Sequence, residues 1–559
     1  MTVDDIPWWK RTVVYQIYPR SYKDSTGNGI GDLEGIINKL DYLRDLGVET
    51  IWFSPFYKSP QEDFGYDISG YREIAPEYGT METCERLIKE MHDRDMKIVM
   101  DMVMNHTSDK HPWFIESRSS KDNPKRDWYI WRDGKKPGGK KPPNNWQSMI
   151  TGSGWHYDEQ TDQWYWAQFL PFQPDLNYRN PEVKAEMLDT MRFWLDKGAD
   201  GFRLDIINAV YEDEMFRNNP ASWRLLPSEK SPAMLFKNPK YTLNHPDTLE
   251  FMKELRSVMD EYDDPPRFLV GEVSAPLYIL KDYMGEQADG LHLTFQFQSL
   301  GLKLKAKKIK KIIKEYERNF SGKFLPTWVF ANHDRFRRIS RLGGSIPKAK
   351  LNTALQMTAR GVPFIYYGEE IGMEQHKFHI KNSLDAVTFK FKKIPQIILN
   401  IFRALMKETL NRDECRTPMQ WTPGENAGFC PPDVDPWLPI TDSYKERNVA
   451  VEDKNLDSLL HCYKRFLEVR NTYPALNSGA LELLEGKQMP KKIVAYRRLA
   501  VSGKDANILV LLNCSKKALT FPNQFGSMKL IVSTHLDAVT HLQDEITMHG
   551  LEGSVFKTS

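Results

Sequence analysis

The stretch Gly201–Asn208 reads "GFRLDIIN". It is an apolar run, opened by a glycine, with two full charges inside it. Such runs are usually buried strands. At a strand's period of two, Arg203 and Asp205 point to the same face. Burying charge is costly unless the charges are paired. From these eight residues alone, a structural ion pair and a functional site are both open. The neighbouring elements decide between them.

Seven further runs have the same apolar character: Thr12–Pro19, Glu49–Phe56, Lys97–His106, Arg267–Ser274, Gly290–Phe297, Thr327–Asp334 and Pro363–Gly372. The GFRLDIIN run extends over Gly198–Ile207. Between runs lie segments with apolar residues at helical spacing, such as Leu33–Gly47 and Cys84–Met96. Near-continuous apolar strands alternating with helices predict an α/β fold, a (β/α)8 barrel with a parallel sheet. Residues 107–178 interrupt the rhythm after the third strand with a Trp-, Pro-, Gly- and Lys-rich stretch ("RDGKKPGGKKPPNNW"). This reads as an inserted, loop-rich domain B over the barrel top. The barrel is then expected over 1–106 and 179–478, with a second excursion at 374–437. Residues 479–559 alternate like strands and read as a C-terminal antiparallel β domain. The basic run Lys303–Arg318 has helical spacing and reads as a solvated amphipathic helix, not a nucleic-acid patch.

The barrel reading changes the meaning of the two charges. Asp101 and His106, Arg203 and Asp205, Glu272, and His333 and Asp334 all fall toward C-terminal strand ends, where barrel enzymes carry their chemistry. A lone ion pair can be structural, but four carboxylates, two histidines and an arginine at one mouth point to acid/base and nucleophile chemistry, as in glycoside hydrolysis. No phosphate-binding glycine loop and no HExxH pattern is present.

Bulk properties agree. The 559 residues are 40% hydrophobic and 27% charged, ordinary for a soluble globular protein. A net charge of +2 excludes a global pull toward nucleic acid or anionic membranes. No apolar run is long enough to span a bilayer, and the opening "MTVDDIPWWKR" lacks a secretory pattern. Five scattered cysteines without CxxC spacing fit free thiols in the cytoplasm and argue against zinc.

The motifs together resemble the α-amylase superfamily, glycoside hydrolase family 13, and within it the oligo-1,6-glucosidase and α-glucosidase group. "DMVMNH" (Asp101–His106), "GFRLDIIN", "GEVS" (Gly271–Ser274) and "ANHD" (Ala331–Asp334) resemble the family's four core motifs, in order. The opening Trp8–Ile36, "QPDLN" (Gln173–Asn177) and "RTPMQW" (Arg416–Trp421) resemble marks of the subgroup. By that resemblance Asp205 is the nucleophile, Glu272 the general acid/base and Asp334 the third carboxylate, holding ring hydroxyls. Arg203 beside Asp205 is expected to keep it ionised, and burial to raise Glu272. His106 and His333 resemble hydroxyl-binding histidines. Asp63 and Tyr66 in "EDFGYDIS" resemble the pair sealing a terminal-glucose subsite, with Tyr66 stacking on the sugar. Arg416 resembles the arginine that pairs with Asp63 and closes the pocket.

The loop "DSTGNGIGD" (Asp24–Asp32) places Asp24, Thr26, Asn28, the Ile30 carbonyl and Asp32 where a structural Ca2+ is held in the resembling group. No organic cofactor is expected. The resemblance implies a retaining, exo-acting α-glucosidase on short oligosaccharides, leaning toward α-1,6 linkages because Ile206 follows the nucleophile. An α-glucosyl transferase, or a sucrose- or trehalose-type isomerase, would use the same triad. A non-catalytic relative of transporter heavy chains would lack these residues and carry an N-terminal membrane helix. Two departures stand out. Arg335 replaces the usual glutamine after "NHD", so Arg335 and Arg338 add charge near the acceptor side, read first as a solvated strand-end cluster and second as a feature favouring an unusual, even anionic, acceptor. The segment Glu374–Asn411 diverges and is expected to line the entrance. The partner is a small oligosaccharide, with no nucleic acid or membrane; the sequence leaves monomer and homodimer both open.

Overall fold

The computed structural model describes residues 6–135, 139–150, 152–224, 233, 236–406, 411–486, 489–503, 505–538, 541–542 and 544–558. Parts of the expected domain B, of the 374–411 segment and of the C-terminal domain therefore lie outside the described residues. The eight predicted runs form one parallel sheet of eight strands: β1 (Val14–Ile17), β2 (Thr50–Phe53), β3 (Lys97–Val103), β4 (Gly201–Asp205), β5 (Phe268–Gly271), β6 (Leu293–Thr294), β7 (Thr327–Val329) and β8 (Val362–Tyr366). The strand order is β6-β5-β4-β3-β2-β1-β8-β7. Each strand is shorter than its apolar run, because the ends continue as loops at the barrel mouth.

The period of two sorts the side chains. Ile51 and Phe53, Ile98 and Met100, and Phe202 and Leu204 face outward into the core shared with the helices. Val14, Trp52, Val99, Phe268, Val270, Leu293 and Phe364 fill the lower barrel interior. Gly201 is needed at the foot of β4. A Cβ there would meet the Phe268 carbonyl oxygen at 2.4 Å, so the backbone of the neighbouring strand takes the space. Two and four residues further along the same face stand Arg203 and Asp205. The charges thus form the layer above an apolar plug.

β6 and β7 share no backbone ladder, and side chains close that seam. The Gln296 backbone N–H donates to Thr327 Oγ1 at 3.0 Å, and the Thr327 backbone N–H donates to Gln296 Oε1. Gln296 Nε2 donates to the Thr294 carbonyl at 2.7 Å.

Residues 107–178 hold a three-stranded antiparallel sheet, Trp131–Arg132, Gln163–Trp166 and Trp155–Asp158. Trp146, Trp155 and Trp166 form its buried core. From Leu481 onward the described chain is antiparallel, with a six-stranded sheet and a separate two-stranded pair. The basic run becomes the helix Ala306–Asn319, burying Ile309, Ile312, Ile313 and Tyr316 while its lysines face outward. No helix among the described residues is long and apolar enough to cross a membrane.

The seam makes a stability prediction. Gln296→Leu strands the Thr327 N–H in a fully buried site, at about 1–3 kcal/mol for the unsatisfied group. Urea denaturation should show a loss in that range, and an unchanged midpoint would remove Gln296 from the account of closure.

Candidate active site

Arg203 is fully buried and one side of its guanidinium is crowded with acids. Its Nη1 donates to Asp101 at 2.8 and 2.9 Å and to Asp205 at 2.6 Å; Nη2 donates to Glu272. The guanidinium lies 5.0 Å from the Trp52 ring centroid, which forms its floor. The pairing follows from register, because Arg203 on β4 stands beside Asp101 on β3. Glu272 is locked by two backbone bonds: its N–H donates to the Leu204 carbonyl at 2.9 Å, and its carbonyl accepts from Ile207 at 3.1 Å.

One cation cannot neutralise three buried carboxylates, so the set retains a proton. Burial pushes Glu272 up to about 8, with Arg203 opposing and Asp205 adding to the rise. Burial likewise raises Asp101 to about 7. Asp205 is also raised by burial, against the pull of Arg203. Arg203 pulls Asp205 down, as expected of a neighbour that keeps it ionised, while burial is the larger influence on it. The proton sits best on Glu272.

Asp334 behaves differently. Burial opposes its charge, but the His333 ring, Arg416 and Arg412 outweigh it and hold Asp334 well below the usual carboxylate range. Arg416 donates to it at 2.7 Å, and Arg412 lies 3.6 Å away. His333 has its Nδ1 2.7 Å from Gln16 Nε2 and its Nε2 2.7 Å from the Tyr66 hydroxyl. Because the Gln16 amide donates to Nδ1, the proton of the neutral ring is on Nε2. Tyr66 then passes its own O–H to Asp101 at 3.1 Å. The Tyr66 and His333 rings are parallel with centroids 5.2 Å apart, so one face of Tyr66 already packs on protein. His106 is buried, its Nε2 3.2 Å from the Tyr66 carbonyl, and burial lowers it to about 4. Both histidines are therefore neutral at pH 7.

The Asp63 pairing requires a correction. Arg412, four residues before Arg416, makes the contact, with Nη2 2.5 Å from Asp63. Arg416 instead reaches Asp334 and the His333 carbonyl. The sequence reading missed Arg412 because it lies outside the RTPMQW motif. It starts the short 3-10 turn Arg412–Cys415, which turns both arginines toward the mouth. Arg412 is held by Asp385, which accepts from its Nε at 3.1 Å and from its Nη2 at 2.7 Å. Asp385 belongs to the divergent segment Glu374–Asn411, so that segment supports the pocket through a carboxylate. On the other side, Gln173 Nε2 donates to Asp63 at 3.1 Å, joining the QPDLN stretch to the same wall. Asp101, Arg412 and Asp385 are the residues the sequence reading did not assign. For Asp101 the signal was present in the strand's period of two.

Around this mouth stand six carboxylates (Asp63, Asp101, Asp205, Glu272, Asp334 and Asp385) and three guanidiniums (Arg203, Arg412 and Arg416). The surplus of negative charge suits a reaction that develops positive charge on its substrate.

Ile206, next to Asp205, has φ +31°, a conformation that β-branched residues avoid. It packs against the Phe169, Ala209 and Leu243 cluster, between the inserted region and the loop after β4. Arg338 is not at the acceptor side as the sequence suggested. It is buried and donates to Asn352 at 2.7 Å. Arg335 is exposed.

The loop Asp24–Asp32 lies apart from the carboxylate mouth. Asp24 Oδ1 accepts from the backbone of Thr26 at 2.9 Å and Gly27 at 2.7 Å, and Oδ2 accepts from Gly29 at 2.8 Å. Asp32 accepts from Ser25 and caps the helix Leu33–Ile37 through Gly35. Asn28 accepts from Ile30 at 2.8 Å. The side chains of Asp24, Thr26, Asn28 and Asp32 and the Ile30 carbonyl supply oxygen donors only, which fits a hard cation.

The chain matches the family model described as alpha amylase, catalytic domain, over residues 16–479. It is 39% identical to the oligo-1,6-glucosidase of Parageobacillus thermoglucosidasius, across 98% of this chain and 99% of that one. It is 36% identical to the alpha-glucosidase of Schizosaccharomyces pombe, across 98% of both chains. Among solved structures, the alpha-glucosyl transfer enzyme XgtA superposes with a TM-score of 0.87 at 34% identity, covering 99% of this chain and 100% of that one. Barrel, motif order and full-length identity agree: the chain belongs to the α-amylase family of glycoside hydrolases.

Proposed function

We infer that the protein is a retaining exo-α-glucosidase that removes terminal glucose from short oligosaccharides. The observation that carries this reading is the Arg203 guanidinium held between Asp205 and Glu272, which burial raises enough to hold a proton. Asp205 attacks the anomeric carbon as Glu272 protonates the departing oxygen. Water, deprotonated by Glu272, then opens the glucosyl-enzyme, and two inversions retain the α configuration. Asp334, kept anionic by Arg412 and Arg416, accepts hydrogen bonds from ring hydroxyls. His106 and His333 are neutral and fix Tyr66 on the same wall, His333 through the Tyr66 hydroxyl and His106 through the Tyr66 carbonyl. The Asp63–Arg412–Asp385 chain ends the pocket, which supports exo-action. Free, mostly buried cysteines suit the cytoplasm.

The loop Asp24–Asp32 is read as a structural Ca2+ site. Excess calcium should raise Tm, and Asp24→Asn should abolish the rise without changing the catalytic pH profile. Glucosyl transfer to a sugar acceptor is the second reading, favoured by the likeness to XgtA. Products from maltose, isomaltose, sucrose and trehalose separate the two, because hydrolysis yields free glucose and transfer yields a new disaccharide.

Asp205→Asn should fold normally and lose at least ~10³-fold in kcat, since an amide cannot form the glycosyl-enzyme. Retention of more than about a tenth of the activity would refute the assignment. Glu272 donates only when protonated, so kcat/KM should fall as pH rises through about 8. An alkaline limb that stays put in Glu272→Gln would place that proton elsewhere. Starch should be attacked slowly, with glucose released from the start; rapid viscosity loss with little glucose would mean an open cleft. Ile206 narrows the wall beside the nucleophile, which favours the more flexible α-1,6 link. Ile206→Thr should raise the maltose-to-isomaltose ratio by an amount worth ~1–3 kcal/mol. An unchanged ratio would transfer that role to the Glu374–Asn411 segment.

A further inference from the structure

A second cavity, of about 420 Å³, lies at the opposite, N-terminal end of the barrel, beside the residues that lead into β5 and β6. The catalytic mouth does not account for it, since barrel enzymes work at the C-terminal end of the strands. Trp9, Met284 and Phe324 give it an apolar wall.

The polar groups on the wall are unusual in one respect. His292 is only 7% exposed, and its Nδ1 accepts the Leu269 N–H at 3.1 Å. The neutral ring therefore carries its proton on Nε2, which finds no acceptor among the described residues. Lys10 has its Nζ 5.1 Å from the Trp9 ring centroid and no ion-pair partner among the described residues. Arg267 shares Asp200 through Nη1 at 3.5 Å, yet its Nε is buried without an acceptor. Of the two acids on the wall, Asp260 already takes Arg256 at 2.7 Å and Asp263 is exposed to solvent. Burial and the charge of Arg256 together lower Lys10. The buried unmet groups are donors, and four cations (Lys10, Arg256, Arg267 and Lys323) against two acids leave the wall positive. A ligand that answers both conditions is an acceptor with negative charge.

We propose that this cavity binds a small organic oxyanion carried on a compact apolar ring. The oxyanion accepts from Lys10 Nζ and His292 Nε2–H, and the ring lies against Trp9. His292 and Trp9 are already in edge contact, with centroids 4.8 Å apart, so ring and charge are read side by side.

Benzoate is the probe, followed by titration calorimetry and by Tm on the full chain. The wild type should bind it saturably and gain Tm. Lys10→Met and His292→Phe should each weaken binding at least ~10-fold. Lys10→Met should leave glucosidase activity intact, and it keeps the test valid if His292→Phe fails to fold. Inorganic phosphate alone should bind more weakly than benzoate. Absence of saturable benzoate binding, binding unchanged in Lys10→Met, or phosphate binding as tightly as benzoate would each overturn the proposal.

Discussion

A single guanidinium, Arg203, faces three carboxylates in the barrel interior, and the site depends on that imbalance. Burying an ion pair rarely stabilises a protein, because desolvation offsets the Coulomb gain. Here the arrangement leaves acids in excess of the cation, and the set keeps a proton at neutral pH, best held by Glu272. Two carboxylates are thereby given different roles by position: Asp205 shares Nη1 with Asp101, whereas Glu272 meets Nη2. The barrel makes this possible. Its apolar layers support Trp52, Trp52 supports the guanidinium, and the strand register fixes which acids it meets.

The outer wall differs in having more cation for each acid. Arg412 and Arg416 face Asp63, Asp334 and Asp385, and the cations there are numerous enough to hold Asp334 ionised. One rim is thus tuned for proton exchange and the other for steady negative charge. Pieces distant in the chain converge to do this: β7 gives Asp334, the loop after β2 gives Asp63, and the region past β8 gives both arginines. Gln173 links the inserted region to the same wall, so substrate pocket and inserted region are mechanically joined.

The eight strands were legible because parallel strands buried on both faces are continuously apolar, and GFRLDIIN stood out as the exception. Asp205, Glu272 and Asp334 were legible because each sits at a strand end, where charge has no structural reason to gather. The Arg412–Asp63 pair was not, since a 3-10 turn has no strong period and the two residues are far apart in sequence. Arg338 misled for a related reason: a basic string shows how much charge is present but not which residue turns inward to Asn352. The balance between burial and Arg203 at Asp205 also lay beyond the sequence, because it depends on how many acids share one cation.

The most direct test is covalent trapping. A 5-fluoro-α-glucosyl fluoride should add one fluoroglucosyl mass to the intact protein, and peptide mapping should place it on Asp205. Label on Glu272, on Asp101 or on no carboxylate would contradict the division of roles around Arg203.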